Sequence, residues 1–464
     1  MKVLFIYTDI NVRGGAMSYQ FGTGIISAVL KQHGHDTRLH HMFGAFDMEP
    51  LKKVIAEYQP DVVGMSVVFP QWRYAKKIIE DLRPWKAFTI FGGAHPTVVP
   101  ECLGQVQGLD AICVGEGEYA MLELVEALRD GKPVDGIKSL WVKKPDGTIV
   151  KNPTRPFIQD LDSLPFYDRE MADYQAIIDS DIETANFQFG RGCPYTCTYC
   201  SNHVLRKTQE GKYVRYPSVE YAIEEVRRVV KNYKVRYLYL NDDTFLADKR
   251  FWQGFCEAYR KEFTLPFFIN ARPEQITQEV CDALKAAGCS RVVMGIEHGN
   301  EEFRTKVLNR RMTNDSIAHA FDLCRAAGFK TKSHFLIGLP HETLEIHMDS
   351  VRLAQRILPD AFTLHIFEVY PGTVLGDIAV KEGLIDRERE NTEFIGQTDT
   401  ALRLPGFPRE EILRCFRLFP FRVYRKTAPF KALLFYFYYS PYAGVLVKIF
   451  SPFKRILRKL AMGV

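Results

Sequence analysis

Short apolar runs recur along this chain, separated by amphipathic stretches, and that alternation limits the folds open to it. Between residues 1 and about 130, "KVLFIYT", "DVVGMSVVF" and "FTIFGGAH" read as strands. Helices are predicted in "GTGIISAVLKQHG", "WRYAKKIIEDLRP" and "YAMLELVEALRDG". Apolar runs of this length between helices suit a parallel sheet covered on both faces. The expected fold is α/β, with a doubly wound, Rossmann-like domain over residues 1–150 whose ligand sits beyond the carboxyl ends of its strands. "SLWVKKPDGTIVKN" adds a hairpin turning at Asp146-Gly147.

Residues 151–185, interrupted by Pro153, Pro156 and Pro165, read as a linker. Beyond them "NFQFGRG", "VRYLYLND", "PFFINAR", "RVVMGIEHG", "KSHFLIGLP" and "AFTLHIFEVYP" are six strands with helices between most of them. This predicts a partial (β/α)6 TIM-type barrel over residues 186–385, with its chemistry at the C-terminal strand ends. A small helical region over residues 386–464 completes the chain.

With 464 residues, 46% hydrophobic and 25% charged, the chain has an ordinary globular composition, neither disordered nor fibrous. The apolar part of "MKVLFIYTDI" is too short for a signal peptide, so a first strand and a cytoplasmic location are expected. Seven of the ten cysteines lie far apart, as buried free thiols do in a reducing compartment.

The other three, Cys193, Cys197 and Cys200, form C-x3-C-x2-C directly after a predicted strand. Thiolates suit iron–sulfur clusters or zinc, so the ligand count separates the two. A closed zinc site takes four ligands, a set that His203 would complete. On a cubane cluster three thiolates leave one iron without a protein ligand, open to a substrate group.

With an aromatic residue, Tyr199, before the last cysteine, this motif resembles the signature of the radical S-adenosylmethionine superfamily. The resemblance implies a 4Fe-4S cluster held by Cys193, Cys197 and Cys200, whose open iron chelates the methionine part of S-adenosyl-L-methionine. It implies reductive cleavage to a 5′-deoxyadenosyl radical, with the protein supplying orientation and shielding. Cofactor contacts follow at later strand ends: Glu297 in "GIEHGN", then Gly338 and Pro340 in "IGLPHET", with "YPGT" after the sixth strand. Gly and Pro there allow close approach. For Glu297 the alternative is a barrel-rim salt bridge. "NDDTF" departs from the family's Gly-Gly-Glu motif, leaving Asp242 or Asp243 in its place, and Arg272 in "NARPE" would neutralise a carboxylate or form a structural ion pair. No residue is assigned a catalytic role on the substrate.

A doubly wound domain ahead of such a barrel resembles the cobalamin-binding subfamily, which includes the magnesium-protoporphyrin oxidative cyclase and the hopanoid methylases. "GMSVVF", "FGGAHPTVVPE" and "VGEGE" carry the resemblance, which spans about residues 1 to 380. Implied cobalamin contacts are Asn11, Gly14, Gly15, Ser66, Gly92, Gly93, His95 and Glu116. Asn11 stands where the D-x-H-x-x-G motif has its axial histidine, so the implied cobalamin is base-off, its lower face water-ligated or open. His95 is expected to pack on the corrin edge or hydrogen-bond to it.

From Ile412 to Val464 there are eleven Lys or Arg and no Asp or Glu, so the rest of a chain with net charge +5 is acidic. The apolar stretch Leu433–Val447 is interrupted by Ser440-Pro441 and Gly444, and falls short of the roughly 20 residues that span a bilayer. Two readings stand for this tail: a segment in the interface of an anionic membrane, placing the protein peripherally at the inner membrane face, or a helical cap with solvated charges. Nucleic acid is not an expected partner.

Together these readings point to an enzyme that methylates an unactivated carbon of a hydrophobic, lipid-like substrate through a 5′-deoxyadenosyl radical and methylcobalamin. Its cofactors would face each other across a dry interface, and an electron donor such as flavodoxin or ferredoxin would feed it. Radical cyclisation or ring rearrangement without methyl transfer stays open as an alternative. So does a zinc-stabilised, membrane-associated binding protein.

Overall fold

The structure, a computed structural model, describes residues 1–10, 16–386 and 399–438. The chain divides into two compact units, Met1–Asp181 with Ser201–Lys234, and Ile182–Cys200 with Val235–Val464.

The first unit is built on seven strands: β1 (Lys2–Ile10), β2 (Asp36–Gly44), β3 (Val62–Ser66), β4 (Phe88–Gly92), β5 (Ala111–Cys113), β6 (Leu140–Lys143) and β7 (Ile149–Lys151). Their order is β2-β1-β3-β4-β5-β6-β7, parallel from β2 to β5, with β6 and β7 antiparallel as the expected hairpin. Side chains alternate across β1, so Leu4 and Ile6 pack on one face with Leu51, Ile55 and Ile78, while Val3 and Phe5 pack on the other with Leu30, Ala120 and Leu124. Each such side chain contributes about 1.5–3 kcal/mol by leaving water. This two-sided core makes the unit doubly wound.

Two parts of this unit lie outside the sequence reading. Strand β2 was not expected, because its sequence DTRLHHMFG is polar and half-exposed, as an edge position allows. The expected linker contains the helix Tyr174–Ser180, capped by the Asp173 side chain accepting from the Ala176 N–H. Helix Val219–Asn232 belongs to this unit as well; its Glu225 accepts from Arg169 Nε at 3.0 Å, a fully buried ion pair.

The second unit is the expected partial barrel. Strands β8 (Thr184–Phe187), β9 (Tyr237–Leu240), β10 (Phe267–Ala271), β11 (Cys289–Glu297), β12 (Lys330–Ile337) and β13 (Ala361–Ile366) form one parallel sheet in chain order. Its outer face is greasy: Phe335 and Phe362 pack on Phe419 of helix Arg409–Tyr424 with ring centroids 5.3 and 5.1 Å away.

The first part of the tail forms the helix Pro429–Tyr438, which packs against the second unit. Phe435 packs 5.7 Å from Phe362, and Lys431 Nζ donates to the Asp360 carbonyl at 2.5 Å while lying 4.0 Å over Tyr424. The rest of the tail, residues 439–464, lies outside the described residues. Among the described residues no helix is long and apolar enough to cross a membrane.

Candidate active site

The cysteine motif leaves β8 as a loop made possible by Gly192, whose φ of +83° suits glycine. The loop is pinned from distant segments. Thr198 Oγ1 donates to the Val307 carbonyl at 2.6 Å, the Thr198 N–H reaches the Leu308 carbonyl at 3.3 Å, and the Leu375 N–H donates to the Thr198 carbonyl at 3.1 Å. The three thiols feel one another: burial pushes Cys193 up to about 11, with Asp243, Cys200 and Cys197 adding to the shift. Among the described residues no group of three His, Cys, Asp or Glu could hold a single metal ion. A cubane does not ask for that convergence, because each thiolate caps a different iron.

Two buried guanidinium groups donate to the same sulfur. Arg272 Nη1 stands 3.4 Å from Cys197 Sγ, and Arg310 Nη1 stands 3.6 Å from it. Both are held in place by other partners. Arg272 pairs with Glu274 at 2.5 Å and lies 3.7 Å over the Tyr195 ring. Arg310 donates to the Gly295 carbonyl at 2.5 Å and to the Tyr199 hydroxyl at 3.3 Å, with the Glu297 carboxylate 4.0 Å away. Cys197, Arg272, Arg310, Tyr199 and Glu297 thus form one constellation at the C-terminal strand ends, with Cys193 and Cys200 half-buried in the same loop.

Glu297 sits at the end of β11, beyond a register shift, with φ +68°, a strained value for a residue that is not glycine. Burial holds its carboxyl above the usual range, against the pull of the Arg310 charge. The following residue, His298, joins the ends of β11 and β12. Its Nε2 and the Nδ1 of His347 each stand 3.2 Å from Glu342 Oε1, while Glu342 Oε2 accepts the N–H groups of Gly338 at 2.6 Å and Leu339 at 3.0 Å. The loop carrying Gly338 and Pro340 is therefore built around a fully buried carboxylate.

Asp242, just past β9, is also buried. Its Oδ1 accepts the N–H groups of Phe189, at 2.9 Å, and Gly190, while Oδ2 has no partner. Burial raises its carboxyl to about 7 despite those two donors, with Asp243 adding to the rise.

In the first unit the ends of β3 and β4 meet. The Val67 N–H donates to the Gly92 carbonyl at 2.8 Å, and the His95 N–H donates to the Val67 carbonyl at 3.0 Å. Gly93 has φ +93°, and a Cβ there would lie 2.9 Å from Val67 backbone atoms and 3.0 Å from Ser66 Oγ, so only glycine fits. His95 stacks on Trp72 at 4.2 Å, and neither of its buried ring nitrogens has a partner. Burial lowers it to about 4, so the ring is neutral. The Glu116 carboxylate is taken up by Arg215, at 2.8 and 3.0 Å, and by the Ile158 N–H at 2.8 Å. Asn11, Gly14 and Gly15 lie outside the described residues; the strand before them ends at Ile10, whose N–H and carbonyl both bond Gln71 at 3.2 Å.

Residues 187–354 match the radical SAM superfamily, and residues 9–125 match the B12 binding domain. The chain belongs to the B12-binding radical S-adenosylmethionine enzymes. It is 27% identical over 376 residues to an uncharacterised methyltransferase of Pyrococcus horikoshii, covering 79% of each chain. It is 25% identical over 408 residues to the anaerobic magnesium-protoporphyrin IX monomethyl ester cyclase of Rubrivivax gelatinosus, covering 84% of this chain and 72% of the cyclase. Its fold is shared by the radical S-adenosylmethionine methyltransferase TsrM of Kitasatospora setae, solved with cobalamin and a [4Fe-4S] cluster bound. The TM-score is 0.67 at 18% identity, covering 82% of this chain and 78% of TsrM.

The enzyme's cofactors are accordingly a 4Fe-4S cluster, S-adenosylmethionine and cobalamin, and its residues fit all three. Two guanidiniums beside a buried cysteine sulfur suit an anionic cluster. An unpartnered buried Asp242 oxygen at a strand end suits a ligand with a donor, and the unpartnered His95 nitrogens at the ends of β3 and β4 suit a polar group offered by the B12 ligand. Arg310, Glu342, His298 and His347 escaped the sequence reading: Arg310 acts on Cys197 and Tyr199, remote in sequence, and the contact that joins the quoted strand-end motifs, His298 to Glu342, spans 44 residues.

Proposed function

We propose that the enzyme methylates an unactivated carbon of a substrate with an apolar body. Cys193, Cys197 and Cys200 hold the cluster; Asp242, Glu297 and the Gly338–Pro340 loop bind S-adenosylmethionine; Ser66, Gly92, Gly93 and His95 bind cobalamin. When bound, the cluster supplies the electron that cleaves S-adenosylmethionine and cobalamin carries the methyl group. The chain's own part is to bind, orient and exclude water: Arg272 and Arg310 fix the charge beside Cys197, and Glu342 holds the loop after β12 against the end of β11. The observation that carries this reading is a B12 binding domain directly preceding a radical SAM domain in one chain, with methyltransferases among its relatives.

An external reductant of the flavodoxin or ferredoxin class would supply electrons. Contact with a membrane surface would rest on the basic residues after Tyr438.

The test is product accounting under anaerobic conditions with S-adenosylmethionine labelled at its methyl group. Methyl transfer predicts S-adenosylhomocysteine and 5′-deoxyadenosine together, with label leaving the sulfonium. Formation of 5′-deoxyadenosine without S-adenosylhomocysteine would instead support cyclisation or rearrangement.

A further inference from the structure

The helix Pro429–Tyr438 is apolar on two opposite faces. Ala432 and Phe435 are buried on one of them, where Phe435 packs on Phe362 and Tyr424 at 5.7 and 5.9 Å. The other carries Phe430, Leu433 and Tyr436 at three-residue spacing, so they stand one above another, and they are 73, 47 and 38% exposed. The patch continues onto the helix Arg409–Tyr424, where Phe421, 37% exposed, has its ring 6.3 Å from that of Tyr436. A helix with apolar residues on opposite faces suits an apolar surrounding on both, and a row of large exposed side chains marks a docking face.

The rim of this face is positive. Arg417 and Arg425 stand one turn either side of Phe421, and Lys426 follows in the turn between the two helices. Arg425 and Lys426 are exposed, and among the described residues none of the three cations has an ion-pair partner. No Asp or Glu occurs from Ile412 onward. Like charge argues against two of the possible covers. Residues 439–464 bring five more Lys or Arg and no carboxylate, and a second copy docked through a twofold contact would set two positive rims side by side. An anionic lipid surface answers both features, taking the side chains into its headgroup boundary and pairing the rim with its phosphates.

We propose that the face formed by Phe421, Phe430, Leu433 and Tyr436, with Arg417, Arg425 and Lys426 at its rim, docks the enzyme on an anionic membrane surface. The proposal rests on the membrane contact of the reading above and gives it an anchor on the described helices, ahead of the basic residues after Tyr438.

The test is co-sedimentation of the full-length, anaerobically reconstituted enzyme with vesicles of phosphatidylcholine, alone or mixed in equal parts with phosphatidylglycerol. The expected result is binding to the mixed vesicles that weakens with added salt, and little binding to the neutral ones. Phe430→Ser with Leu433→Ser, and separately Arg425→Gln with Lys426→Gln, should each weaken binding roughly tenfold at an unchanged melting temperature, because all four side chains are exposed. No binding to the mixed vesicles, or equal binding to both kinds, would overturn the proposal, and that comparison needs no variant. Binding that survives both double variants would overturn this anchor and leave membrane contact to the residues after Tyr438. A lipid-free dimer that Phe430→Ser with Leu433→Ser converts to monomer would assign the face to a second copy. Failure of a maleimide to label Leu433→Cys in the lipid-free monomer would assign it to residues 439–464, and either result overturns the proposal. Reductive cleavage of S-adenosylmethionine, followed in the same preparation, separates docking from chemistry. Cleavage without vesicle binding would sink the docking alone, and vesicle binding without cleavage would sink the catalytic reading alone.

Discussion

Arg310 donates to Cys197 across 3.6 Å although 113 residues separate them, and Arg272 reaches the same sulfur from 3.4 Å. Two positive charges beside a cluster ligand favour the reduced, more negative state of the cluster. Replacing Arg272 or Arg310 by Gln should therefore lower the cluster's reduction potential. Losing one charge-assisted hydrogen bond, worth about 1.5–3 kcal/mol, corresponds to a shift on the order of 100 mV for one electron. Potentiometric titration followed by electron paramagnetic resonance measures it, and an unshifted potential in both variants would refute the electrostatic role.

Asp242 should give the enzyme a pH-dependent weakness. Its carboxyl is raised to about 7 from 3.8 by burial, so between those values the folded state holds more protons than the unfolded one. Stability then falls as pH rises from about 4 through 7. Asp242→Asn keeps the oxygen that accepts from Phe189 and Gly190 and removes the titration. Melting temperatures across that range should decline less in the variant; parallel curves would contradict the assignment.

His95 is neutral and its ring nitrogens are unpartnered in the absence of ligand, so its polarity adds nothing to the fold. His95→Phe preserves the stacking on Trp72 and should leave stability within about 1 kcal/mol, since two unmet polar atoms are removed. If His95 contacts cobalamin, the variant's cobalamin affinity drops while its melting temperature holds. An unchanged affinity would exclude that contact.

Glu342 illustrates the opposite case. Burial works against its ionisation, yet His298 and His347 outweigh it and hold the carboxyl down at about 2. Its contribution to stability is complete above an ordinary glutamate pKa near 4.5 and is lost as pH falls toward 2. Glu342→Ala leaves two buried histidines and two loop N–H groups without their acceptor and should cost about 3–5 kcal/mol. Denaturant unfolding at neutral pH reads that loss, and S-adenosylmethionine affinity should weaken with it. A variant as stable as the parent would show the network to be dispensable.

How far the sequence could be read followed the range of the physics involved. The six barrel strands were legible because each is a local apolar run, and the cysteine triplet because its spacing is local too. Strand β2 was not, because an edge strand with Arg38, His40 and His41 shows neither a continuous run nor clean alternation. Glu116 stood in a glycine-flanked strand-end motif that suggested a ligand, yet its carboxylate pairs with Arg215, 99 residues onward. Arg310 has meaning only once β11 and the cysteine loop are brought together, and the bond from His298 to Glu342 only once β11 and β12 are, juxtapositions that no single segment encodes.

The central claim is that Cys193, Cys197 and Cys200 hold a cluster with one iron left for S-adenosylmethionine. Electron paramagnetic resonance of the reconstituted, reduced enzyme tests it most directly. The account predicts a 4Fe-4S signal that changes shape when S-adenosylmethionine is added and disappears when any of the three cysteines becomes Ala. A signal indifferent to S-adenosylmethionine, or one that survives all three substitutions, would contradict it.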